Sequence, residues 1–81
     1  MIDSANFKNW LDQNTSFSTN VVSDTISRMR RADKIRAWDG ESTYPFYLEK
    51  EEEFQALSVS VKSQIRKAVR LYASFSETGK Q

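Results

Sequence analysis

Apolar residues recur along this chain at steps of three and four. Between Leu57 and Phe75, the residues Val61, Ile65, Ala68, Tyr72 and Phe75 follow one another at steps of four, three, four and three. That spacing places them on one helical face. Phe7, Trp10 and Leu11 share a face further upstream, and Val22, Ile26, Met29 and then Ala32 or Ile35 continue a second stripe. Phe54 and Leu57 are the late anchors of a shorter one. No segment alternates every second residue between turn signals, so the pattern predicts helices and no sheet.

The polar positions between these stripes set the predicted boundaries. A first helix is expected over 4–13, with Asp3 or Ser4 as N-cap and Asn14-Thr15-Ser16 breaking it. A second is expected over 18–38, with Ser18 as N-cap, Phe17 stapled onto Val22, and Trp38 closing the helix. Asp39-Gly40-Glu41-Ser42 reads as a loop. The third helix, over 45–56, starts at Pro45, whose missing N–H costs nothing in a first turn. The fourth, over 59–77, takes Ser58 or Ser60 as cap and has Gly79 at its stop. The 81 residues suit one domain with a single modest core.

Charge changes the picture, because the formal total of +1 hides its distribution. From Arg28 to Arg36 five bases (Arg28, Arg30, Arg31, Lys34, Arg36) face only Asp33, a local +4. From Lys62 to Arg70 there are four bases (Lys62, Arg66, Lys67, Arg70) and no acid, again +4. From Asp39 to Glu53 six acids stand against Lys50, a local −5. On the last helix Lys62, Arg66 and Arg70 recur every four residues, with Ser63 and Lys67 beside them. Two acid-poor basic faces in one small domain point to a polyanion, and double-stranded DNA is the expected partner. The same arginines have a competing use as cross-fold partners for Glu49–Glu53.

The remaining composition narrows the chemistry. The chain has no cysteine and no histidine, which removes disulfides, thiolate metal sites and histidine-based catalysis. The absence of cysteine is compatible with a reducing, cytoplasmic setting. No cofactor, metal or small-molecule substrate is expected, and no apolar run is long enough to span a membrane. The glutamates from Glu49 to Glu53 point in different directions on a helix and read as a solvated face. Phe7, Trp10, Phe54, Tyr72 and Phe75 read as core; Trp38, Tyr44, Phe46 and Tyr47 read as packing between the second and third helices.

The order of features resembles a known family. Phe-x-x-Trp-Leu (Phe7, Trp10, Leu11) precedes the Ser-capped helix SFSTNVVSDTISRMRRADKI, an acidic third helix, Leu-Ser-x-Ser-Val at Leu57 to Val61, and a closing Arg70-Leu71-Tyr72-Ala73-Ser74-Phe75. This is similar to the N-terminal core-binding domain of tyrosine recombinases and phage integrases. The resemblance implies an all-α, compact four-helix orthogonal bundle of the SAM-like kind, forming half of a clamp around duplex DNA and doing no chemistry itself. By position it implies DNA contacts from Thr19, Asn20, Ser27, Arg28, Arg31 and Lys34 on the second helix. On the fourth it implies Ser60, Lys62, Ser63, Arg66 and Lys67, with Arg70 continuing the basic stripe. A downstream catalytic domain is the expected neighbour, since its arginines, histidines and nucleophilic tyrosine have no counterpart here. From a different class, the alternative is a small helical protein-interaction module using segment 38–53.

Overall fold

A computed structural model describes residues 2–79 of the chain, with side chains through Glu77. The fold is all-α. Its elements are α1 (Ser4–Asn14), α2 (Thr19–Ile35), α3 (Tyr44–Leu48), α4 (Glu52–Gln55) and α5 (Val59–Gly79). α2 and α5 form the main helix pair and α1 packs against both. The Cα atoms extend 34 × 27 × 16 Å, so the molecule is about two helices thick in its thin direction. Among the described residues no helix is long and apolar enough to cross a membrane.

Each long helix starts where a short polar side chain satisfies a free amide. Asp3 accepts from the Asn6 N–H, Ser18 Oγ from Val21 N–H, and Ser58 Oγ from Val61 N–H. Thr15 ends α1 by donating from both Oγ1 and N–H to the Leu11 carbonyl. The helical stripes then meet in one core. Phe7 and Leu11 of α1, Val22, Met29 and Ala32 of α2, and Ile65, Ala68, Val69 and Tyr72 of α5 are buried there. Tyr44, Leu48 and Phe54 complete it from α3 and α4. Burying one large side chain of this kind contributes about 1.5–3 kcal/mol. Thr25, the buried polar residue of α2, donates its hydroxyl to the Val21 carbonyl.

The two largest departures from the expected boundaries share one physical reason. α2 ends at Ile35, and Trp38 does not close the helix. Continued to Trp38, the helix would turn that ring about 120° away from Ala32, off the core face. Instead Arg36 becomes extended, Asp33 Oδ1 accepts the Trp38 N–H at 2.8 Å, and the indole packs edge-on against Tyr44 and Tyr72. The expected third helix is likewise two short ones. Leu48 and Phe54, six residues apart, would point about 120° apart on one continuous helix. A break around Glu51, which is extended at φ −70° and ψ 133°, turns both into the core. The Gln55 side-chain amide bridges that break by donating to the Glu49 carbonyl.

Gly40, at φ +76°, supplies the left-handed turn in the loop before α3. Pro45 stands in the first turn of α3, as its sequence position predicts. The last helix runs to Gly79, two residues past the expected end.

Candidate nucleic-acid interface

The outward sides of α2 carry the first group of cations. With Val22, Thr25, Met29 and Ala32 facing the core, helical geometry turns Asn20, Ser27, Arg31 and Lys34 outward, and all four are exposed, as is Thr19. Arg28 lies at the edge of the buried stripe and is half-buried. Arg30 points toward α1, where its Nε donates to Ser4 Oγ at 3.1 Å.

On α5 the cations divide between two sides. Arg66 and Arg70 line a cleft of about 330 Å³ together with Trp38, Leu48, Val69 and Glu49. Arg66 donates through Nη2 to Glu49 Oε1 at 2.7 Å, and its guanidinium stands 5.5 Å from the Phe54 ring centroid. Lys67 projects to the other side, with Nζ 5.5 Å from the ring of Phe17 at the α1–α2 turn. Ser60 and Ser63 are exposed, and Lys62 is half-buried. The stripe that looks continuous in sequence therefore borders the acidic connector on one side and the Phe17 turn on the other.

The acidic segment is more than a solvated face. Glu49 pairs with Arg66, and Glu51 Oε2 accepts from Arg36 Nη1 at 3.0 Å. Arg36 also stands 5.1 Å from the Tyr47 ring centroid, and its Nε is buried without a hydrogen-bond partner. The Arg36 carbonyl accepts from the Tyr44 hydroxyl at 2.6 Å. Burial pushes the Tyr44 phenol well above its ordinary pKa; Asp33 and Asp39 add to that rise and Arg36 opposes it.

The three ion pairs among the described residues are Lys8–Asp12, Arg36–Glu51 and Arg66–Glu49. None involves Arg28, Arg31, Lys34, Lys62, Lys67 or Arg70. Such a set can hold phosphates by charge and hydrogen bonding. Among the described residues, no three acidic side chains gather closely enough to hold a metal ion.

The aromatic expectation holds in part. Phe7, Phe54 and Tyr72 are buried, and Trp10 and Phe75 pack against the same cluster. Tyr44 is buried too, whereas Phe46 and Tyr47 are 59% and 44% exposed. Their rings meet edge to face, and Lys50 Nζ lies 4.7 Å from the Phe46 centroid. Sequence reasoning did not find the roles of Ser4 and Phe17 in holding Arg30 and Lys67. Both contacts join different elements, which helical periodicity does not address.

No family model, curated protein or solved structure matches this chain.

Proposed function

We propose that this domain binds double-stranded DNA without chemistry of its own, in the manner of the core-binding half-clamp that its sequence resembles. The observation that carries the proposal is a group of cations on α2 and α5 outside the ion pairs among the described residues, Arg28, Arg31, Lys34, Lys62, Lys67 and Arg70, with Arg30 turned instead toward Ser4 of α1. A folded chain gains little stability from unpaired surface cations, whereas a polyanion gains affinity from each one it meets. Thr19, Asn20, Ser27, Ser60 and Ser63 add hydroxyl and amide donors between them for phosphate or base edges. A cytoplasmic location and a downstream catalytic domain belong to the same proposal.

The test is fluorescence anisotropy with a labelled random-sequence duplex at several salt concentrations. Micromolar binding with a log-log salt slope of about −4 to −5 is expected, corresponding to about five phosphates. Arg31→Glu combined with Lys67→Glu, neither of which breaks an ion pair, removes that binding while helicity stays unchanged and melting falls only by the loss of the Lys67–Phe17 contact, about 0.5–1 kcal/mol. Binding that survives the pair of reversals overturns the proposed surface.

One observation favours a second function, recognition of a protein partner through segment 38–53: Phe46 and Tyr47 remain exposed beside the acidic run. Phe46→Ala then disrupts a protein complex without unfolding the domain, and the duplex titration shows no binding at low salt.

A further inference from the structure

Arg66 and Arg70 lie one turn apart on α5 and line the same cleft, yet their surroundings differ. Arg66 is engaged by Glu49 at 2.7 Å, whereas Arg70 is exposed and takes part in none of the ion pairs among the described residues. A carboxylate oxygen at 2.7 Å from a guanidinium nitrogen stands where a phosphate oxygen would stand. Both are anionic acceptors of short, charge-assisted N–H bonds. The Glu49 main chain is tied down: its N–H donates to the Pro45 carbonyl and its own carbonyl accepts from the Gln55 amide. Its side chain, 46% exposed, has open water to swing into.

We propose that Arg66 and Arg70 form a phosphate-binding pair for the DNA backbone, and that Glu49 covers it in the free protein as an internal competitor. This rests on the duplex binding proposed above. A phosphodiester reaching both arginines displaces the carboxylate, while one reaching Arg66 alone exchanges one anion for another with little gain. The mask therefore favours a seated complex over a loose encounter. For an exposed ion pair the competition amounts to a factor of about two to five in affinity. It also hides close to one phosphate contact from the salt dependence.

The experiment compares Glu49→Gln with Glu53→Gln in the same duplex titration, each also in an Arg66→Gln background. Glu53 is exposed and belongs to none of the ion pairs, so its replacement makes the same charge change without unmasking an arginine. Glu49→Gln is expected to tighten binding about two- to fivefold and to steepen the salt slope by about one. Glu53→Gln has a smaller effect, and the gain from Glu49→Gln disappears once Arg66 is glutamine. An unchanged affinity in Glu49→Gln, an equal gain in Glu53→Gln, or a gain that persists without Arg66 each overturns the mask while wild-type binding still stands. If neither the wild type nor Glu49→Gln binds duplex at about 50 mM salt, the duplex proposal itself fails and takes the mask with it.

Discussion

α2 and α5 carry cations at the same three- and four-residue spacings and share one core, yet their cations meet different surroundings. On α2, Arg31 and Lys34 are exposed and lie outside the ion pairs. On α5, Arg66 is held between Glu49 and the ring of Phe54, and Lys67 stands over Phe17. The difference comes from neighbours. α5 has the 44–55 segment on one side, which brings the Glu49 carboxylate and the Phe54 ring to Arg66, and the α1–α2 turn on the other, which brings the Phe17 ring to Lys67. A basic run in a sequence counts charges; whether each charge is free to meet a ligand depends on what the fold places next to it.

The comparison depends first on the shared core, and breaking that core has the largest effect. Met29→Ala from α2 and Ile65→Ala from α5 each remove a fully buried side chain, and each is expected to cost about 2–5 kcal/mol in urea unfolding. Losses of similar size from the two sides are expected if the helices form one cooperative unit. A silent substitution on either side would show that its helix is held some other way.

The next effect concerns the end of α2. Tyr44→Phe deletes the donor to the Arg36 carbonyl and should cost about 1–2 kcal/mol. The alkaline limb of stability carries a second signature. The folded phenol has a raised pKa, so above about pH 10 the unfolded chain releases the Tyr44 proton while the folded chain keeps it. Unfolding is then increasingly favoured as pH rises. Melting curves between about pH 9 and 11.5 should therefore fall less steeply for Tyr44→Phe than for the wild type. Parallel curves would mean that Tyr44 does not contribute to that limb.

The smallest effect goes to the comparison itself. Arg66→Ala gives up an exposed ion pair and a ring contact, and about 1 kcal/mol of stability is expected to go with them. Arg31→Ala gives up neither and should stay within about 0.5 kcal/mol of the wild type. Equal values from chemical denaturation would remove the distinction drawn between the two helices.

Much of the fold was legible along the chain. The stripes of α1, α2 and α5 appear as residues buried in one core or, for Trp10, Ile26, Ile35, Val61 and Phe75, partly buried against it, and Ser18 caps its helix as expected. Of the alternatives at the other two starts, Asp3 and Ser58 are the caps used. Val69 escaped the stripe pattern because it sits at the edge of its stripe, where burial depends on the helix packed alongside, and Thr25, inside the α2 stripe, escaped because it is polar. The two breaks, before Trp38 and around Glu51, escaped because local propensity favours continuing each helix. Only the position of the core makes a turn of the chain worthwhile there. For the candidate interface, the cations themselves were readable, and pairing with the acidic segment stood as an open alternative. The specific partners were not readable.

The sequence by itself determined the three long helices, their apolar faces and the cap of α2, and narrowed the other two caps to a pair of residues each, because these depend on residues within about four positions of one another. Tertiary structure decided where α2 ends, that the acidic segment is two short helices, and which arginines are engaged. Arg36 and Glu51 are 15 residues apart, and Arg66 and Glu49 are 17 apart. Contacts of that range come from the path of the connecting chain over the core, which no local spacing encodes.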